Sequence, residues 1–317
     1  MASNKITLEQ YIGFRKKLAV KEKRKINVAK ILSFIFLSVF CILWIAPIVI
    51  MFFASLRSYT DGPAVASDLF YPRSGYSLEG YKMIIFKVKP FGLEQISDFS
   101  VINVPQWLLN SCISAIGGTL LYLFVASIAA YAFTFIDFKY RNLIFALLVG
   151  SMVIPGAATT VGNLSMVYGM GLNKTGLWAL IIPGLGGVYG MYLIKTFFES
   201  IPSDLIESAR MDGYSNFKIF YKIVLPLGKT VLFVQGLFGF MGGWNDLIWP
   251  RMLYGDSTKS HLWTLQVGIY EAMGKIGDVY TAAVLASGAL CLIPVIIVYI
   301  IAQDKIIEGM ASSGIKR

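Results

Sequence analysis

Charge is scarce in this sequence. Only 15% of its 317 residues are Asp, Glu, Lys or Arg, and mean hydropathy is +0.66. A soluble fold of this length needs more charge to cover its surface. Histidine is limited to His261. One histidine cannot build a His-based metal cluster, and no G-x-S-x-G accompanies it to suggest a catalytic triad. The three cysteines, Cys41, Cys112 and Cys291, form no C-x-x-C pair and fall in apolar runs. They read as small packing residues and say nothing of redox compartment. A nucleotide-binding loop is also missing. The nearest candidate, ending at Lys174-Thr175, has Tyr168 and Asn173 where a P-loop needs glycine. No internal repeat or low-complexity tract organises the chain.

Long apolar runs are what the sequence does have. Six of them, at 31–55, 107–135, 142–165, 177–197, 229–250 and 281–303, have about the length of roughly 20 residues that a bilayer crossing needs. The expected fold class is therefore an all-α membrane protein of six transmembrane helices. The first run is longer than a signal-peptide core and no A-x-A site follows it, so it reads as a retained helix.

The net charge of +10 has a topological account and calls for no nucleic-acid partner, because cytoplasmic loops collect Lys and Arg. Nine basic residues precede the first run, from Lys5 to Lys30, which puts the N-terminus inside. Six crossings return the C-terminus to the inside, with Lys305, Lys316 and Arg317. The 136–141 turn, with Lys139 and Arg141, is inside as well. Residues 56–106 carry five basic and five acidic residues, show no basic excess, and are expected outside, as are 251–280.

The expected organisation is a basic N-terminal segment at 1–30, a transmembrane domain at 31–303 and a cytoplasmic tail at 304–317. Ile6, Tyr11, Phe14 and Leu18 give the leader roughly helical apolar spacing, as on a helix lying at the lipid surface. Segment 56–106 is punctuated by Pro63, Pro72, Gly75, Gly80, Pro90 and Gly92, which predicts turns and short extended pieces. It is longer than a connector needs, so an external partner is expected to dock there. Pro155-Gly156 and Pro183-Gly184 should kink or break the third and fourth runs. Gly186 and Gly190, and Gly239 and Gly243, have the G-x-x-x-G spacing that lets helices approach closely.

Segment 201–226 is more than a connector. Ser203 is a plausible N-cap, Asp204 puts negative charge in a first turn, and Leu205, Ile206 and Ala209 make a small apolar face. Gly213 supplies a stop, since a glycine just past a helix end accepts the left-handed conformation. A second helix, about 215–224, should end at Leu225-Pro226. Physical reasoning thus gives a short helix, a glycine break and a second short helix.

The string Glu207-Ser208-Ala209, then Gly213, then Ile223-Val224-Leu225-Pro226 resembles the E-A-A, three residues, G, nine residues, I-x-L-P motif of ABC importer permeases. The spacing agrees throughout, and Ser208 replaces the usual Ala. Trp244-Asn245-Asp246, followed by Pro250, is similar to the W-N-[DE] segment of maltose-type (MalG-like) permeases. The tail from Gly309 to Lys316 is similar to the ending of that subfamily. The resemblance covers about residues 31–317.

The resemblance implies a coupling helix around Glu207, Ser208, Ala209, Asp212 and Gly213, supported by Ile223, Leu225 and Pro226. It would seat in a groove on a separate ATPase, with Ser208 and Ala209 as its exposed small face. The implied partners are a MalF-like permease, two ATP-binding subunits that hold ATP and Mg, and an extracytoplasmic solute-binding protein, all at a bacterial or archaeal plasma (inner) membrane. This chain would have no cofactor and no enzymatic activity of its own. The implied cargo is a sugar or oligosaccharide.

Asp246 is the acidic residue deepest in an apolar run, and ionisable groups there usually face a partner or a watery cavity. With Asn110, Trp244 and Asn245 it forms the expected translocation path. Asn163, Gln235, Tyr122 and Trp249 are further polar or aromatic groups in the runs. The rival reading is a secondary, ion-coupled transporter, which also uses broken helices and buried acids. It gives no reason for the 201–226 pattern.

Overall fold

The computed structural model describes residues 28–58, 61, 70–87, 102–273 and 281–314. The expected amphipathic leader lies outside the described residues. The chain divides into two units, Met1–Ile50 and Met51–Arg317. Among the described residues the structure is helical, with no strand.

Within the first unit the described residues begin helix α1, Val28–Ser55, whose apolar character continues through Pro47. Phe36, Phe40 and Trp44 follow one another at i, i+4 along it, with ring centroids 6.0 and 5.9 Å apart. An apolar run exposed all round suits lipid rather than water.

The second unit is built on α3, Val104–Phe135, with Pro105 in its first turn. Before it comes α2, Glu79–Phe86, a helix inside the 56–106 segment that was expected to be turns and extended pieces. The apolar pair Met83 and Ile84 is fully buried, and a side chain on Gly80 would stand 2.8 Å from the Ala282 carbonyl. Backbone contact with the last helix, α12 (Thr281–Gly314), thus holds a segment whose Gly and Pro content suggests irregular chain.

After α3 the apolar runs break. Helices α4 (Arg141–Ser151) and α5 (Gly156–Gly169) meet at 105° around Pro155, so the 142–165 run is two segments rather than one rod. Helices α6 (Trp178–Gly186) and α7 (Val188–Phe198) meet at 48° just after Pro183-Gly184. Helix α8 is Ser203–Met211, and α9 is Asn216–Leu227, which bends by 78° at Gly228 into α10, Lys229–Asn245. A short helix, α11, Ile248–Tyr254, follows. Among the described residues three helices are long and apolar enough to cross a membrane, and up to six crossings result if each bent pair is one span.

Glycine sets the packing on α3. A side chain on Gly239 would lie 3.2 Å from Thr119, and one on Gly243 would lie 3.2 Å from the Ala115 backbone. That stripe lets α10 lie against α3. At the N-cap of α7 and within it the close approach is at Gly187 and Gly190, both against Tyr122, while Gly186 faces open space. The expected Gly186–Gly190 stripe is therefore displaced by one residue at its first position, because the bend at 186–188 shifts the face.

Two buried clusters sit at the two ends of α3. One gathers Trp107 and Ala115 with Met83, Trp244, Trp263 and Ala283. The other gathers Ala126, Ala130 and Tyr131 with Ile194, Phe198, Ile206, Ala209, Ile219 and Phe220.

Candidate functional site

The second cluster carries α8. Its N-cap is Pro202, in extended conformation, and no side chain caps it. Ser203, the expected cap, is the first helical residue, and its hydroxyl lies 3.4 Å from Asp204 Oδ1. The rigid φ of Pro202 ends the preceding chain without a capping hydroxyl. Asp204 in the first turn and Arg210 in the last still complement the helix dipole.

The stop at Gly213 has the expected form. Its φ is +76°, its N–H reaches the Arg210 carbonyl at 3.0 Å, and the Tyr214 N–H reaches the Ala209 carbonyl at 3.0 Å. These two bonds are the Schellman closure of a helix end. Ile206 and Ala209 point into the cluster and are buried. Ala209 was expected on an exposed docking face. It lies three residues after Ile206 and so shares the bundle-facing side. Leu205, expected on that apolar side, stands exposed. The open surface carries Glu207, Ser208, Asp212 and Met211, the last 89% exposed, with Phe217 and Tyr221 of α9 also exposed.

Helix α9 begins at Ser215, whose hydroxyl accepts from the Lys218 N–H at 3.4 Å. It does not stop at Leu225-Pro226. A widened π turn over Phe220–Val224 leads into Leu225–Leu227. Pro226 has no N–H for the carbonyl one turn back, and the widened turn precedes it. Ile223 and Leu225 pack against the cluster, whereas Pro226 is exposed.

Sequence reasoning missed the contact that ties α8 to the rest. The Arg210 guanidinium donates to the Phe135 carbonyl at 2.7 Å, across 75 residues of sequence. Phe135 is in the last turn of α3, where carbonyls lack helical partners. A basic residue in the last turn of a capped helix was the available signal, but nothing local names its partner.

A cavity of about 410 Å³ opens where the helices break. Its walls are Ser114, Ala115, Gly118, Thr119 and Tyr122 of α3, Asn163 of α5, Leu180, Ile181, Pro183 and Gly184 of α6, three glycines of α10, and Asp246 and Trp249. Asp246 stands at the break between α10 and α11 rather than within a helix, with an extended backbone. Its carboxylate accepts from the Trp249 N–H at 3.2 Å, and the Trp249 indole donates to the Ala179 carbonyl at 3.2 Å. Thr119 Oγ1 is buried and makes no hydrogen bond among the described residues.

Of the four residues expected on a path, only Asp246 lines this cavity. Asn110 is buried and donates to the carbonyls of His261 at 2.9 Å and Trp263 at 2.8 Å. Trp244 is buried and donates to the Cys291 carbonyl at 3.2 Å, and Asn245 donates to Met241 in its own helix. Tyr122, Asn163 and Trp249 line the cavity as well. His261 is exposed, and no group of residues able to hold a metal occurs among the described residues.

A second recess lies beside the 251–271 segment, around Arg251, Asp256, Lys259 and Glu271. Arg251 pairs with Glu271 at 2.6 Å. The Thr258 N–H, 2.9 Å from Asp256, holds that carboxyl below the usual carboxylate range.

A broken-helix bundle with a capped, surface-presented helix and a cavity at the breaks is the construction of a membrane transport subunit. Residues 18–311 match the description "Binding-protein-dependent transport system inner membrane component", and the chain belongs to that family of multi-pass inner-membrane ABC permeases. It is 29% identical over 214 residues to the arabinooligosaccharides transport system permease protein AraQ of Bacillus subtilis, covering 67% of this chain and 73% of the relative. It is 30% identical over 209 residues to the sn-glycerol-3-phosphate transport system permease protein UgpE of Yersinia pestis, covering 65% and 72%. Its fold is similar to that of a bacterial ABC transporter involved in the import of the acidic polysaccharide alginate, with TM-score 0.70 and 21% identity, covering 89% of this chain and 98% of that one. These likenesses support the permease reading and not the ion-coupled alternative.

Proposed function

We propose that this permease subunit pairs with a MalF-like permease to form a path for a sugar or oligosaccharide, delivered by an extracytoplasmic binding protein. Two separate ATP-binding subunits hold ATP and Mg and supply the energy; this chain hydrolyses nothing. The chain crosses the membrane six times, each bent helix pair counting once, with residues 1–30 and 304–317 on the cytoplasmic side. Segments 56–106 and 251–280 face outward, the former toward the binding protein.

The observation that carries the proposal is the continuity of α3. Its middle, Ser114 to Tyr122, walls the cavity, and its end, Phe135, holds Arg210 of α8. The fourteen residues from Tyr122 to Phe135 span about 20 Å of helix, so a push on α8 reaches the cavity wall through one rigid element. Glu207, Ser208, Asp212 and Gly213 form the end that seats on the ATPase; Ile223 and Leu225 brace it from behind, and Pro226 follows the widened turn of α9. Asp246 belongs to the path, while Asn110 and Trp244 hold its surroundings together.

Reconstitution with the co-expressed partner subunits and binding protein tests this. Uptake should need ATP and binding protein and should survive collapse of proton and sodium gradients. Gradient-driven uptake by this chain alone would overturn the proposal.

A further inference from the structure

We infer that the cavity at the helix breaks admits neutral, polyhydroxylated solutes and turns away uronates and phosphate esters, and that Asp246 sets this preference. The inference rests on the reading of the cavity as part of the translocation path.

The lining makes the case. Among the described residues that wall the cavity none is Lys, Arg or His, and Asp246 is the one carboxylate. The Trp249 N–H fixes that carboxylate at the wall. A fixed negative charge among apolar helices acts through a low dielectric, so an entering anion meets repulsion with no cation on these walls to offset it.

The remaining polar groups suit hydroxyls. Thr119 Oγ1 is nine-tenths buried and has no hydrogen-bond partner among the described residues, which leaves a donor and lone pairs for a ligand. The hydroxyls of Ser114 and Tyr122 and the amide of Asn163 add bonding groups that carry no charge. Gly242, where a side chain would meet no atom within 4 Å, leaves part of the α10 wall open for a ring. The volume of about 410 Å³ falls in the usual range of ligand sites, roughly 300–1,000 Å³.

The test reads the cavity's potential directly. In the assembled transporter Cys41, Cys112 and Cys291 are replaced by Ala and a single thiol is introduced by Ser114→Cys. Its labelling rate is measured with cationic (trimethylammonium-ethyl) and anionic (sulfonato-ethyl) methanethiosulfonates, each normalised to its rate with a free thiol. The cationic reagent should be favoured about tenfold, and Asp246→Asn should bring the ratio to within about threefold. Asp246→Glu, which keeps the charge, should keep the preference. Maltotriose should slow labelling more than trigalacturonate does.

Equal rates for the two reagents, or a ratio unchanged by Asp246→Asn, would overturn the charge preference while leaving the path reading intact. Stronger protection by trigalacturonate would overturn it as well. Uptake that survives complete labelling at position 114 would instead sink the path reading, and this inference with it.

Discussion

The guanidinium of Arg210 bonds the carbonyl of Phe135 at 2.7 Å, and this joins a nine-residue surface helix to the end of the helix that walls the cavity. A charged donor meeting a helix-terminal carbonyl is stronger than a neutral pair. Arg210→Gln keeps the length of the side chain roughly and removes the charge. It should leave ATPase association intact and lower binding-protein-stimulated uptake by roughly fivefold, as expected for loss of about 1 kcal/mol. Association by pull-down and uptake in proteoliposomes, measured on one preparation, check it.

Gly213 separates conformational from hydrogen-bonding demands. A side chain there meets no atom within 4 Å, so Gly213→Ala costs only the left-handed backbone, about 1 kcal/mol. Gly213→Pro fixes φ at the wrong sign and deletes the N–H that reaches Arg210. Uptake should fall a few-fold in the first and vanish in the second. Equal effects would show that the cap geometry is unimportant.

Neighbouring glycines should differ sharply. Gly190→Ala drives a methyl into the Tyr122 hydroxyl, whereas Gly186→Ala enters open space. Overpacking typically costs about 1–3 kcal/mol. Thermal unfolding in detergent should therefore show a clear loss for the first and none for the second.

The topology is checked by thiol labelling of intact cells. Ser74 and Ser208 are both exposed. Ser74→Cys should react with an impermeant maleimide from outside, and Ser208→Cys should react only after the membrane is opened.

Much of this architecture was legible because it is written locally. The apolar runs, the breaks at Pro155 and Pro183, the glycine stop at Gly213 and the Gly239–Gly243 stripe are all short-range patterns, and the structure contains each. What stayed hidden depends on distant partners. Helix α2 packs closely at Gly80 against the backbone at Ala282, a contact that no window around residue 80 displays. Asn110 looked like a path residue because it is polar in an apolar run. It is instead committed to two carbonyls about 150 positions away, at His261 and Trp263. Asp246 looked embedded in a helix, since Pro250 alone suggested no break before it. Ala209 seemed available for docking until Ile206 fixed which side of α8 faces the bundle.

The central claim is that α8 passes ATPase motion to the membrane helices through its open surface. Glu207 is on that surface and not in the buried cluster, so Glu207→Lys changes the docking face without touching the core. The deciding measurement is ATPase activity in proteoliposomes with and without loaded binding protein, alongside the unfolding midpoint of the same preparation. The account predicts an unchanged midpoint and a loss of stimulation of at least about tenfold, since a charge reversal at a close contact costs about 1.4 kcal/mol or more. Full stimulation with full uptake would contradict it.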